Sequence, residues 1–253
     1  TQIKIRNNLI KKRKLIKMRK TKEPQYNISL ELAEKHGIAS LGILTNETWV
    51  NDPKRMVFAL SRYKFVAKML SGFDKVLEVG CADGFGSRIV KQEIKELDAL
   101  DFDPIFISNA QEGNIHKKWQ INFFVHDILE GPTLNKYNAI YSLDVLEHIP
   151  PEKEHLYFEN TCQSMQGSES VLIIGSPSLE SQKHASLGSK IGHVNCKNGE
   201  DLKKICNHYF KNVFLFSMND EVVHTGFQKM AHYFLIICCN KKYKYNLRDS
   251  THM

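Results

Sequence analysis

Residues 76–87 read VLEVGCADGFGS. An apolar run passes through Glu78 into Gly80, Cys81, Ala82, Gly84 and Gly86. Glycine at that density lets a backbone come close to a ligand. A triphosphate loop needs Lys followed by Ser or Thr after its last glycine, and a dinucleotide fingerprint needs GxGxxG. Glu78-x-Gly80-x-x-x-Gly84-x-Gly86 is neither. An acid two residues before the first glycine repels a pyrophosphate and suits a ligand with a cationic group. Further acids follow: Asp101 in ALDFDP, 21 residues after Gly80, then Asp127 in FFVHDIL, then Asp144 and Glu147 in SLDVLEHIP. An ionised carboxylate has two oxygens that only accept, so one such group takes two hydroxyl hydrogen bonds. Three histidines can move protons near neutral pH: His148, His193 in KIGHVN and His224 in VVHTGF. His126, beside Asp127, reads as structural. Structural zinc spacing and a magnesium-type carboxylate cluster are both unrecognisable here, so the expectation is no metal.

Alternating strands and helices have to hold these groups. Strands are predicted over 75–79, 97–101, 122–125, 139–142, 171–175, 213–217 and 231–240, and helices over 86–96, 104–112, 151–166 and 200–209. This pattern means a mostly parallel sheet covered on both faces, with its ligand beyond the carboxyl ends of the strands. No helix separates the last two strands, which predicts an antiparallel hairpin at one edge. Ahead of the sheet, 27–36 reads as a helix stopped by Gly37, and 37–51 as a loop-rich connector. A strong helix then runs from Pro53, with Asp52 as its N-cap. The connector 176–199 is too long for a plain turn and is expected to be a substrate loop. The division is therefore a basic leader at 1–25, a helical cap at 26–72, an α/β domain at 73–240 and a basic tail at 241–253.

The glycine turn resembles motif I of the class I S-adenosylmethionine-dependent methyltransferases, and three later motifs follow in that family's order at strand ends. The resemblance spans roughly residues 62–178. It implies a Rossmann-like seven-stranded, mostly parallel α/β sheet with a C-terminal antiparallel hairpin and an N-terminal helical cap. It also implies S-adenosyl-L-methionine as cofactor and S-adenosyl-L-homocysteine as product. Glu78, Gly80, Cys81, Ala82 and Gly84 would surround the ribose and methionine portion. Asp101 would accept from the ribose diol, with Phe102 beside the adenine. Asp127 would accept from the adenine amino group, and Ile128 would pack on the ring. Leu143 and Asp144 would border the cofactor, with Glu147 and His148 opening the substrate side. SRYKFVAKML resembles the segment that closes over the cofactor in small-molecule members. It makes Arg62 the candidate for the methionine carboxylate, with Tyr63 packed nearby. Ala82 departs from the Cys-Gly pair that many relatives have.

Methyl transfer is an in-line displacement in which the enzyme mainly aligns donor and acceptor. A hydroxyl acceptor benefits from a base. His193 and His148, with Asp144 between motif and substrate side, are the catalytic candidates, and His224 is a third histidine able to reach the pocket. SLDVLEHIPP stands where many amino-methylating nucleic-acid enzymes have DPPY or NPPY. It resembles small-molecule O- and N-methyltransferases of the ubiquinone-pathway and sugar-modifying kind. The leading expectation is O-methylation of a sugar, nucleotide-linked sugar or surface glycan. The rivals are an RNA or protein methyltransferase docking through the basic segment, and a cofactor-binding protein without turnover.

Charge limits the partners. The 253 residues carry a net +7, yet residues 1–22 hold ten Lys or Arg and no acid, which leaves −3 for the rest. A body of that sign is no nucleic-acid grip. The basic segment also carries Ile3, Ile5, Leu9, Ile10, Leu15, Ile16 and Met18, a composition suited to an anionic membrane surface or a partner. The six cysteines form no CxxC, and there is neither a secretory signal nor a long apolar run, so the expected setting is the cytoplasm.

Overall fold

The computed structural model describes residues 20–114 and 119–242. The leader up to residue 19 and the tail from 243 lie outside the described residues, as does the amphipathic reading of that leader.

Helices α1 (Asn27–His36), α2 (Ile43–Asn51) and α3 (Pro53–Met69) come first. They lead into β1 (Lys75–Val79), α4 (Ser87–Lys91), β2 (Glu96–Asp101), α5 (Pro104–Gly113), β3 (Asn122–Val125) and β4 (Ala139–Leu143). Then come α6 (Glu154–Ser164), β5 (Val171–Pro177), α7 (Leu187–Gly192), α8 (Gly199–Tyr209), β6 (Phe210–Asn219), β7 (Val222–His224) and β8 (Tyr233–Lys241). The sheet order is β3-β2-β1-β4-β5-β8-β6-β7, eight strands among the described residues rather than the expected seven. The first five are mutually parallel, and β8 is antiparallel to both β5 and β6. The additional strand is β7, three residues folded back on the end of β6.

The sheet is buried on both faces, so its strands read as continuous apolar runs. Leu77, Ile140, Leu172 and Phe234 pack with Tyr157 and Phe158 of α6 and with Leu202 and Cys206 of α8. Val76, Tyr141, Ile173 and Leu235 face the other way, against Val66 and Leu70 of the first helical layer, Val90 of α4 and Ile107 of α5.

Local expectations were met unevenly. Residues 43–51, read as connector, are helical. Their N-terminus is held from far along the chain: Asp83 accepts from the Thr45 N–H at 2.7 Å and from its hydroxyl at 3.0 Å, and Asn109 accepts from the Ile43 N–H. The helix expected over 86–96 stops at Lys91, because the Glu93 carbonyl is drawn to the Gly72 N–H at 2.8 Å. Asp52 sits at the start of α3 without a side-chain capping bond, whereas Asp103 caps α5 by accepting from the Ile105 N–H at 2.8 Å. All six cysteines are unpaired. Among the described residues no helix is long and apolar enough to cross a membrane.

Candidate active site

A cavity of about 530 Å³ opens beyond the carboxyl ends of β1, β2, β3 and β4. The turn after β1 forms one wall. Gly80 and Cys81 both donate to the Leu100 carbonyl, at 2.8 and 2.9 Å, which pins the turn to β2. Positive φ at Gly80, Ala82 and Gly84 folds it tightly. A Cβ at Gly80 would collide with the Val145 side chain, so glycine there lets the turn after β4 close against it. Ala82 holds φ +45°, a left-handed conformation that costs a side chain roughly 1–2 kcal/mol. Ala82→Gly is therefore expected to raise stability by about 1 kcal/mol in denaturant titration. A decrease instead would show that the alanine methyl contributes packing that outweighs the strain.

Asp101 ends β2 and is almost fully buried. One carboxylate oxygen accepts from the Ala82 N–H at 2.9 Å and the other from the Asp103 N–H at 3.0 Å. Each oxygen keeps a second lone pair for a ligand. Phe102, 70% exposed, stands at the rim. After β3, Asp127 accepts from the Leu129 N–H at 2.8 Å and Ile128 is buried beneath the cavity. His126 is anchored to the Gly131 carbonyl at 2.9 Å, a structural contact.

The predicted site residues separate into two groups. Gly80, Ala82, Asp101, Phe102, Asp127, Ile128, Asp144 and His148 line the cavity. Glu78, Cys81, Gly84, Leu143, Arg62, Tyr63 and His193 do not. Glu78 lies behind the turn, where its carboxyl accepts from Tyr63 at 3.0 Å and Tyr141 at 2.7 Å. Burial pushes its pKa up to about 7, with hydrogen bonds from Ser87, Tyr141 and Tyr63 acting the other way. The Cys81 thiol is buried, and that burial raises its pKa. Gly84 makes room for the Phe123 ring and Ala110. Leu143 packs against Gly175. Arg62 reaches the site through Asp144: its guanidinium donates to both carboxylate oxygens at 2.7 Å and lies 3.8 Å over the Tyr233 ring. Tyr63 ties the same helix to Glu78.

The connector after β5 folds back onto the turn after β4. The Glu147 carbonyl accepts from the Val194 and Asn195 N–H groups at 2.8 and 3.0 Å. This brings His193 to His148, with ring centroids 5.1 Å apart and planes at 70°. His148 Nδ1 lies 2.9 Å from the Gly192 carbonyl and His193 Nδ1 lies 2.8 Å from Gln182 Oε1. Burial lowers the His193 pKa, the neighbouring His148 lowers it further, and Asp144 opposes both. Glu147 is fully buried; one oxygen accepts from Ser176 at 3.2 Å and the other has no partner. Burial, and then the Asp144 charge, raise its pKa. His224 is not part of this group. It sits on the edge strand β7, with one ring nitrogen 2.8 Å from Asn219 and the other accepting from the Gly226 N–H.

Sequence reasoning missed Val145 and Tyr233. Val145 is one of several apolar residues around the motif, and nothing local marks it. Tyr233 enters only because β8 lies beside β5.

Residues 76–166 match the family model described as "Methyltransferase domain". No curated protein matches the chain. Among solved structures, the chain is similar to the N-methyltransferase NodS from Bradyrhizobium japonicum WM9 in complex with S-adenosyl-L-homocysteine. The identity is 18%, over 76% of this chain and 90% of that one, with a TM-score of 0.56. It is also similar to magnesium protoporphyrin IX methyltransferase (ChlM) from Synechocystis PCC 6803 with bound S-adenosylmethionine. That identity is 16%, over 82% and 88%, with a TM-score of 0.53. The methyltransferase domain of bacterial CtHen1-C shares 13% identity over 72% and 99%, with a TM-score of 0.60. Residues 76–166 thus match a methyltransferase domain, and the chain shares the α/β fold of these solved structures.

Proposed function

We propose that this protein transfers the methyl group of S-adenosylmethionine to a hydroxyl of a small, hydroxylated acceptor, a sugar or nucleotide-linked sugar. The observation that carries this reading is the His148–His193 ring pair, of which His148 lines the cavity together with Asp144. A carbonyl oxygen only accepts, so each Nδ1 carries the proton and each Nε2 a lone pair. An acceptor hydroxyl there attacks the methyl carbon, the carbon–sulfur bond breaks with its electrons left on sulfur, and the hydroxyl proton passes to Nε2. Asp101 and Asp127 would hold the ribose and the adenine amino group. A cavity of about 530 Å³ is in the range of sites for small molecules. The unpaired thiols fit a reducing compartment, the cytoplasm.

Calorimetric titration with S-adenosylmethionine and S-adenosylhomocysteine, with NAD as control, tests the cofactor half. Both sulfur ligands are expected to bind and NAD to give no heat. Release of S-adenosylhomocysteine across a panel of sugars, nucleotide sugars and, for comparison, RNA and amines tests the acceptor half. Turnover confined to RNA or amines rejects the hydroxylated acceptor.

A further inference from the structure

We propose that Glu147, His148 and His193 form a binding site for a divalent transition-metal cation where His148 borders the cavity. One ligand atom from each of the three lies within 4.8 Å of the other two. The side chains are already held as ligands require. Each imidazole gives its Nδ1 proton to a carbonyl-type oxygen, Gly192 O for His148 and Gln182 Oε1 for His193. That outer contact fixes the tautomer and leaves Nε2 as a lone-pair donor. Two Nε2 atoms of this kind cannot hydrogen-bond to each other. The third member is Glu147, fully buried, with Oε2 held by Ser176 and Oε1 without any partner. A buried carboxylate oxygen without a partner costs free energy unless something satisfies it. Glu147 Oε1 is the buried group in need of a partner, and a cation held by it and by the two solvent-reachable imidazoles would supply one.

Two imidazoles and one carboxylate, with coordination positions left open, suit manganese, iron, cobalt or zinc better than magnesium or calcium, which prefer all-oxygen sets. Bonds of about 2.0–2.1 Å place ligand atoms roughly 3–3.5 Å apart. The present separations, up to 4.8 Å, are wider than that, so binding would draw the three groups together. Nearby Asp144 is held by Arg62 and is left out of the set.

The consequence for chemistry rests on the proposed methyl transfer. An acceptor hydroxyl on an open position would lose its proton to solvent when the cation lowers its pKa. The resulting alkoxide oxygen then attacks the methyl carbon as the carbon–sulfur bond breaks. With a cation bound, solvent takes the proton that Nε2 accepts in the metal-free protein, and the bonds made and broken at carbon and sulfur are unchanged.

The test is titration of Co2+ into chelator-stripped protein, followed by its visible absorption, with S-adenosylmethionine binding measured in parallel as a check on folding. One equivalent of Co2+ is expected to bind with a nitrogen-ligand spectrum. His148→Ala, His193→Ala and Glu147→Gln are each expected to weaken it at least tenfold. His224→Ala, a histidine on the edge strand, is expected to bind as wild type does. Loss of Co2+ binding in the three variants while S-adenosylmethionine still binds supports the site. Wild-type Co2+ binding in the variants, or no binding in the native protein, overturns it and leaves the methyltransferase reading standing. If Co2+ binds through these residues but S-adenosylmethionine does not bind, the cation site stands and the proposed transfer falls.

Discussion

Asp101→Ala is expected to weaken S-adenosylmethionine binding by at least 100-fold. The carboxylate has two tasks. Its free lone pairs are assigned to the ribose diol, and a hydrogen bond to a charged group contributes about 1.5–3 kcal/mol. Losing two of them corresponds to at least a hundredfold in affinity. Its other lone pairs hold the Ala82 and Asp103 N–H groups, and Ala82 is a strained residue. The alanine variant therefore also loosens the turn, which thermal melting without ligand detects as a lower midpoint. Asp101→Asn separates the two tasks. Its single carbonyl oxygen keeps one backbone bond, and its amide cannot accept the other, so an intermediate loss of affinity is expected. Calorimetry on the three proteins reads this directly. An alanine variant binding within threefold of wild type would remove Asp101 from the cofactor site.

Glu78 has the second large effect, and it is a pH effect. The unfolded chain loses this proton near 4.5, while the folded protein keeps it to about 7 because burial disfavours the charge. Below pH 4.5 both states are protonated and the group makes no difference. As pH rises from 4.5 to about 7 the unfolded state gains relative to the folded one, so stability falls across this window and stays lower above it. The loss is on the order of 3 kcal/mol. Glu78→Gln keeps an oxygen for one tyrosine and has no proton to lose. Denaturant curves at pH 5 and pH 8 are expected to show wild type losing that amount relative to the variant. Parallel losses in both proteins would mean that Glu78 titrates normally and that the tyrosine contacts leave its ionisation unchanged.

The sequence made the cavity wall easier to read than the residues behind it. Gly80, Asp101, Asp127 and Asp144 are small or charged residues at strand ends, where apolar periodicity breaks off and leaves a visible signal. Glu78 and Arg62 show the same residue types, yet both point into the structure, because each meets a partner from a remote strand: Tyr141 for Glu78, Asp144 and Tyr233 for Arg62. Spacing along the chain carries no information about such partners. Helix α2 was missed for a related reason. Its Leu44, Trp49 and Val50 are exposed, so no apolar stripe announces it, and its anchor is Asp83 in the glycine turn after β1. The approach of His193 to His148 depends on backbone bonds from Val194 and Asn195 to Glu147, which no local pattern encodes.

Strand β8 is the last in sequence but lies between β5 and β6. On the ribosome, the parallel strands and the glycine turn after β1 emerge well before it, and β5 waits with one edge open. Until residue 241 has emerged, β6 has no partner on its β8 side. The Tyr233 ring is also missing from beneath Arg62, so the ion pair with Asp144 forms on an incomplete floor. The contacts that hold Arg62 against Asp144 are thus completed only once β8 has emerged. A nascent chain stalled before β8 would expose the apolar edges of β5 and β6 together, the condition under which strands from neighbouring chains pair.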